Sequence, residues 1–466
     1  MKYVFGLICS AIVGLVQCQV DTELEFNVVA ENLYVPWDMA WGLDNNIWVL
    51  QKDGQLTRIN PDTHEKEDVY KIQDVFQSDD NSGAHGMTLH PQFPLVPWIY
   101  CNYTHSEYRA KLIRLQISLN GAGGTTAVET FFDTIPGNSS HNGSRLVFGP
   151  DNYLYFSTGD AYMSEWAQFP ENIAGKILRM DENGLPAPNN PFGEYVYTIG
   201  HRNPQGLVFS DSGILYSTEH GTSNDDEVNM INGGKNYGWP TISGYCDTPS
   251  EQANCAENDF TEPLTTWTPT EAPCGIAYFN DASIPEWQNS LLVCFLKGQC
   301  LRILKLNNQG DEVVEATTFL HEEFGRIRDV LVAPNGRVFI STSNREINGW
   351  DWLAAVEDDR IIELKNPEHT YPALESFMET ISFNEGIYQL FPNPIQSHLN
   401  IAYSHNAEIL QIEVTDMKGQ SVLSERVEPM VEGICQLHLT DLASGAYTVR
   451  IRAEGVPDFT QTILRQ

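Results

Sequence analysis

Basic residues are scarce in this chain. Its 466 residues carry 27 Lys and Arg against 62 Asp and Glu, a formal net charge of −35. A polyanion of that size repels phosphate backbones and anionic lipid, so nucleic acid and membrane surfaces are poor partners. The excess acid serves solubility, and some of it is available for Ca²⁺. Long apolar runs are missing too, with one exception. Lys2 opens an apolar stretch from Tyr3 to Val16, and polarity resumes at Gln17. That stretch is too short to span a bilayer comfortably and has the pattern of a signal peptide over residues 1–19. Cys18 follows Gln17, which is too large for the residue usually found before a lipidated Cys. With no later membrane-crossing run, the mature protein is expected to be soluble and exported, secreted or held at the cell surface.

Zinc-type cysteine spacing is absent. Two of the nine cysteines fall in the leader, and the odd remainder cannot all pair. Cys246 and Cys255 bracket a polar loop and are the pair expected after export. Cys101, Cys294 and Cys435 sit in apolar, strand-like runs and read as buried thiols. Helical periodicity is also missing, since no long stretch has a 3.6-residue period.

What is present is a degenerate β repeat. One half is an aromatic-aliphatic strand: Ile47-Trp48-Val49-Leu50, Tyr153-Leu154-Tyr155-Phe156, Ile214-Leu215-Tyr216 and Val338-Phe339-Ile340. The other half alternates, as in Lys176-Ile177-Leu178-Arg179-Met180 and Arg360-Ile361-Ile362-Glu363-Leu364, and recurs six times between Asp21 and Asn366. Repeated short antiparallel sheets with Gly/Asn/Asp turns predict an all-β, six-bladed β-propeller over residues 21–366. A β-sandwich is the competing reading, but it rarely needs so long a chain. A polar linker is expected over 367–386. Alternating strands with Asp/Gly turns then predict a small β-sandwich over 387–466.

Two stretches read as two sides of one site. The first is Gly200-His201-Arg202-Asn203-Pro204-Gln205-Gly206 with Glu219-His220-Gly221-Thr222-Ser223-Asn224-Asp225-Asp226-Glu227; the second is Arg326-Ile327-Arg328-Asp329. Arg202, Lys297, Arg326 and Arg328 come from separate repeats, and propeller strand ends converge on one axis. Their mutual repulsion is costly unless a polyanion fills the funnel; the bland alternative is four surface salt bridges. Arg202-Asn203 beside Pro204 suits anion binding at a loop, although structural turns use such pairs freely. His141, on the Ser140–Arg145 turn, can titrate near neutrality, and Asp160 ends the next strand, where a carboxylate can orient the imidazole. A lone loop His is more often a surface residue; its company raises this one. The Asp225-Asp226-Glu227 run offers hard oxygens for Ca²⁺ without being an EF-hand loop, and alone it reads as a solvated acidic turn.

In these motifs the chain resembles the soluble quinoprotein glucose/sorbosone (aldose sugar) dehydrogenases, six-bladed propellers that use pyrroloquinoline quinone (PQQ) and Ca²⁺. The likeness runs from about Val35 to Leu364 and is most specific at Gly200–Phe209 and Glu219–Pro240, with looser matches at Val35-Pro36-Trp37 and Gly86–Pro91. The resemblance implies that His141 is the general base, supported by Asp160. Arg202 and Asn203 flank the reactive quinone carbonyls; Lys297, Arg326 and Arg328 clamp the PQQ carboxylates, and Thr270 is a further contact. It also implies that backbone carbonyls of Gly221 and Thr222 bind the catalytic Ca²⁺, and that Glu227, Tyr237, Asp247 and Glu262 surround a second, structural Ca²⁺. Asn81 and Trp267 are implied at the sugar. The implied reaction is oxidation of an aldose at its anomeric carbon to the lactone, with electrons passed to an external acceptor. The alternatives are a non-redox calcium propeller, either a lactonase-like hydrolase or a carbohydrate- or protein-binding module.

The chain also departs from the glucose-oxidising members. Asn81 replaces a longer Gln, Thr222 replaces a Pro, Thr268 stands where the cofactor wall has Trp, and the Ala161–Ile173 segment is shorter. At the chain end, Pro392-Asn393-Pro394, the Asp416-Met417-Lys418-Gly419 turn and the Gly445-Ala446-Tyr447 strand resemble the C-terminal sorting domain of type IX secretion, which implies that machinery as a partner.

Overall fold

The computed structural model describes residues 22–77, 81–94, 96–117, 125–345, 359–374, 388–391, 398–403, 410–427, 434–439, 442–453 and 458–465. The expected signal peptide lies outside the described residues, as does the expected linker beyond residue 374. Up to residue 374 the described chain forms six four-stranded antiparallel sheets. The six alternating segments are the third strands of these sheets, among them Gln55–Ile59, Lys176–Met180 and Asp359–Lys365. The aromatic-aliphatic segments are second strands. Five of the six second strands are buried at every position: Ile47–Gln51, Leu154–Thr158, Leu215–Glu219, Ser290–Phe295 and Val338–Thr342. Their continuous apolar character follows from burial on both faces. Six buried clusters fill the gaps between successive sheets; Trp48 and Phe93 lie in one, Phe279 and Ile340 in another. Each fully buried large side chain contributes on the order of 1.5–3 kcal/mol.

The first strands are Pro36–Trp41, Ala84–Leu89, Gly143–Phe148, Pro204–Phe209, Pro273–Phe279 and Ile327–Val332. Each contacts the next, and Ile327–Val332 packs back on Pro36–Trp41, closing a ring. The last sheet is completed by the N-terminal strand Glu25–Leu33, which pairs with Asp359–Lys365. Every first strand has a register shift near its start, for example between Pro36 and Asp38 and between Ile327 and Asp329. Such bulges re-aim side chains. Here they recur six times around the ring, where Trp37, His85, Arg145, Gln205 and Arg328 stand.

Two further sheets follow. Tyr388–Phe391, His398–Tyr403 and Ile434–His438 form one; Leu410–Asp416, Ser421–Val427, Gly445–Arg452 and Phe459–Arg465 form the other. Both contribute to one buried cluster, through Leu399, Cys435 and Leu437 from the first and Ile412, Val449 and Ile463 from the second. The expected Asp/Gly turn is present: Gly419 N donates to Asp416 O at 2.9 Å, and Gly419 has φ +80°. Cys246 and Cys255 are disulfide-bonded with a Cα separation of 6.4 Å, and Cys101, Cys294 and Cys435 are buried thiols, as are Cys274 and Cys300. Among the described residues no helix is long and apolar enough to cross a membrane.

Candidate active site

A cavity of about 710 Å³ opens at the starts of the first strands. Trp37, His85, Gly143, Gln205 and Arg328 reach it from these strands, and loops add Asn81, His141, Thr222, Thr270, Lys297 and Arg326. Its described lining includes three cationic side chains, Lys297, Arg326 and Arg328, and no carboxylate. Arg328 Nη1 donates to Gln205 Oε1 at 3.0 Å, and its guanidinium lies 5.5 Å from the Trp37 ring centroid. Cationic side chains at a cavity wall suit a bound anion.

His141 has φ 60°, a conformation its turn imposes. Gly143, two residues on, has φ +64°, and a Cβ there would lie 2.6 Å from Gly159 N, so only Gly permits the approach to the neighbouring strand. Asn203 Oδ1 accepts from Gly143 N at 3.0 Å and ties this turn to the Arg202 loop. His141 Nδ1 is 2.8 Å from Asp160 Oδ1, and its Nε2 is 2.9 Å from Arg202 Nη2. A guanidinium only donates, so Nε2 accepts and Nδ1–H donates to Asp160. The imidazole is thus held neutral, with its lone pair at Nε2.

Asp160 is buried. Its Oδ1 also accepts from Tyr162 N at 2.9 Å, and its Oδ2 from Trp239 Nε1 at 2.8 Å. Arg202 Nη1 donates to His220 O at 2.9 Å, its guanidinium lies 5.3 Å from the Trp239 ring, and burial draws its pKa down. Glu219 fixes the loop: Oε1 accepts from the backbone N–H groups of Arg202 and Asn203, and Oε2 pairs with His201 Nδ1 at 3.0 Å. His220 lines the cavity with its Nε2 buried and without a hydrogen-bond partner. Burial, then the charges of Arg202 and Arg328, push its pKa down to about 3.

The Gly221 turn is equally constrained: a Cβ there would lie 2.1 Å from Asn224 O. Asp226, raised in pKa by burial, accepts from Gly221 N at 2.8 Å through one oxygen and from Glu271 N and Ala272 N through the other. It thereby locks the Gly221-Thr222 turn to the Thr270 loop. Backbone oxygens on this fixed turn suit a hard cation.

The side chains assigned to a second Ca²⁺ are brought to one region without closing a ligand cluster. Glu227 and Tyr237 line a second cavity of about 10 Å³. Glu227 accepts from Gly244 N at 2.6 Å and Asn229 Nδ2 at 2.9 Å; burial and the nearby Glu219 push its pKa up to about 8. Tyr237 donates to Met230 O at 2.7 Å. Glu262 is exposed and accepts from Cys246 N at 2.8 Å, and exposed Asp247 follows in that loop. Among the described residues no three His, Cys, Asp or Glu side chains are grouped to hold a metal. Trp267 packs edge-to-face on Phe295, at 4.9 Å, and is not among the residues lining the main cavity. Sequence reasoning assigned no role to Trp37, His85, Gln205 or Tyr162, and missed the structural roles of Glu219, Asp226 and Trp239. The motifs around Glu219, Asp226 and Trp239 stood out, but what each side chain would touch did not.

A family model described as Glucose / Sorbosone dehydrogenase matches residues 33–349, and one described as Secretion system C-terminal sorting domain matches residues 389–464. The chain is 28% identical over 400 residues to quinoprotein glucose dehydrogenase B of Acinetobacter calcoaceticus, covering 67% of this chain and 83% of that protein. It is 28% identical over 337 residues to an aldose sugar dehydrogenase of Escherichia coli, covering 68% and 89%. The PQQ-bound aldose sugar dehydrogenase of Streptomyces coelicolor superposes with a TM-score of 0.64 at 31% identity, covering 74% of this chain and 99% of that one. With its ring of four-stranded sheets and the family match over most of its length, the chain belongs to the glucose/sorbosone dehydrogenase family and carries a C-terminal secretion sorting domain.

Proposed function

We propose that this protein is a PQQ- and calcium-dependent dehydrogenase that oxidises an aldose at its anomeric carbon to the lactone and passes electrons to an external acceptor. The observation that carries this reading is His141, held neutral between Asp160 and Arg202 at the wall of a cavity whose described lining brings three cations. Arg326, Arg328 and Lys297 would hold the PQQ carboxylates, with Thr270 as a further contact and Asn203 beside Arg202. Gly221 and Thr222 would offer backbone carbonyls to Ca²⁺, and Glu227 with Tyr237, Asp247 and Glu262 would serve a structural cation. Bound there, PQQ supplies a two-electron acceptor and Ca²⁺ a Lewis acid.

The chain's own residues do the rest. His141 Nε2 takes the proton of the anomeric hydroxyl once Arg202 turns its donor from His141 toward the oxygen charge that develops. Asp160, acceptor-only and fixed by Trp239 and Tyr162, stabilises the imidazolium that results. Asn81, at the cavity wall, is placed to meet the sugar. Residues 21–366 would make six blades, 367–386 a linker, and 387–466 a sandwich read by the type IX machinery, with the enzyme outside the cell or on its surface.

Reconstitution tests the reading. Adding PQQ and Ca²⁺ to the apo-protein should produce a cofactor absorption band and sugar-dependent dye reduction across a panel of aldoses. No band would favour a binding module; a band with no reduction by any sugar would remove the sugar.

A further inference from the structure

The turn after Asp160 is bent so that one side chain lies on the base. Ala161 has φ 48° and Tyr162 φ 63°, two successive left-handed residues, neither of them Gly. For a bulky residue that conformation is an outlier, and it persists only where its surroundings hold it. They do so here. Ala161 N donates to His141 O at 3.1 Å, Tyr162 N to Asp160 Oδ1 at 2.9 Å and Met163 N to Asp160 O at 2.7 Å. Asn138 Nδ2 donates to Ala161 O at 3.3 Å. The Tyr162 ring therefore lies along the His141 imidazole, with centroids 4.2 Å apart and an interplanar angle of 29°. Its hydroxyl pairs with Ser140, the residue before the base, so the ring is fixed at both ends. Burial offsets little of the backbone strain, because Tyr162 is 56% exposed. What the strained turn gains is the stack.

We propose that Tyr162 is a positioning residue for the base: its ring clamps the His141 imidazole from the face, as Asp160 does from the edge, and favours the protonated ring that proton transfer creates. This rests on the dehydrogenase reading and adds a part to it. Tyr162 is not in the described lining of the cavity, so it acts through His141 and not on a substrate. An aromatic face carries negative charge density and attracts a cation laid over it; a neutral imidazole gains much less. The stack thus distinguishes the ring before proton transfer from the ring after it. Among the described residues, the other charged or titratable groups around the imidazole are Asp160 at Nδ1, Arg202 at Nε2, and His220. Asp160 favours a positive ring and Arg202 opposes it. Tyr162 adds to the favourable side without adding charge.

Two measurements on the full chain test the clamp. In the apo-protein, NMR of carbon-labelled histidine rings follows His141, whose signal is assigned through His141→Gln. In the PQQ- and Ca²⁺-loaded protein, the dye assay gives kcat, KM and their pH profiles. Tyr162→Asn removes the ring and tolerates the native backbone. It should move the His141 titration midpoint down by about half a unit and lower kcat about two- to fivefold at unchanged KM, the size of one exposed cation–ring contact. The acid limb of the kcat/KM profile should move down with the midpoint. Tyr162→Phe keeps the ring and should match the wild type in every readout. An unmoved midpoint or unchanged kcat in Tyr162→Asn overturns the clamp, as does a Phe variant impaired as much as the Asn variant. Dye reduction by the wild type in any of those cases leaves the dehydrogenase reading standing without it. A midpoint that moves as expected in a protein that reduces dye with no sugar fails the dehydrogenase reading and keeps the ring contact.

Discussion

Two sets of cations meet at Trp37 through Arg145 and Arg328, and their described partners differ. On one side is Arg145, which pairs with Asp38 and lies 3.1 Å from Asp329 Oδ1, its guanidinium 4.7 Å from the Trp37 ring. The two carboxylates are anchored in turn, Asp38 by Met87 N at 2.8 Å and Asp329 by Met39 N at 2.9 Å. These bonds join the first, second, third and sixth first strands, so this network closes the ring. On the other side is the cavity, where Lys297, Arg326 and Arg328 arrive with no carboxylate in the described lining. Structural arginine brings its counter-charge with it. Among the described residues, acid is spent on Arg145 and on the loops, at Glu219 and Asp226, and none lines the cavity.

Chemistry should break before structure on the cavity side. His141→Gln removes the base and should lower turnover about 10²–10⁴-fold in the reconstituted dye assay, with the PQQ absorption band retained. Retained turnover would sink the assignment of the base. The network side should show the opposite: Arg145→Met strands two buried carboxylates and should cost about 3–5 kcal/mol in denaturant unfolding of the apo-protein. Arg328→Met sharpens the comparison most directly, because the residue is equally buried. It should weaken PQQ binding about tenfold to a hundredfold, as expected for a lost charged hydrogen bond. Unchanged PQQ affinity would erase the distinction.

The smallest expected effect concerns acid. His220 has a folded pKa of about 3 against an ordinary 6.5, so the folded state binds fewer protons between these values. The stability it contributes is present above about 6.5 and is lost as pH falls toward 3. His220→Gln should flatten the decline of apo-protein Tm below pH 6.5 by a few degrees; an unchanged pH profile would remove the neutral imidazole from the account.

Much of the fold was legible because its signals are local. The alternating segments proved to be third strands and the aromatic-aliphatic ones second strands, since period-2 patterning and full burial leave their mark within five residues. His141 and Asp160 were legible for a related reason: one stands on a Gly turn and the other ends the next strand, so strand pairing alone brings them together. Trp267 shows where this reasoning stops. Its place in the motif order suggested the sugar, but its side chain packs on Phe295. Tyr162 carried no sequence signal at all, because exposure of an aromatic ring is decided by what fails to cover it.

By itself the sequence determined the kind and order of the strands, the disulfide, the acidic surface and the residue types able to bind an anion. Those follow from short-range periodicity, turn chemistry and charge count. Only the tertiary structure decided that Arg202 reaches His141, that Trp239 holds Asp160, and that Asp226 reaches across 45 residues to Glu271. These are contacts between sheets, and their geometry exists only once Ile327–Val332 packs on Pro36–Trp41 and closes the ring.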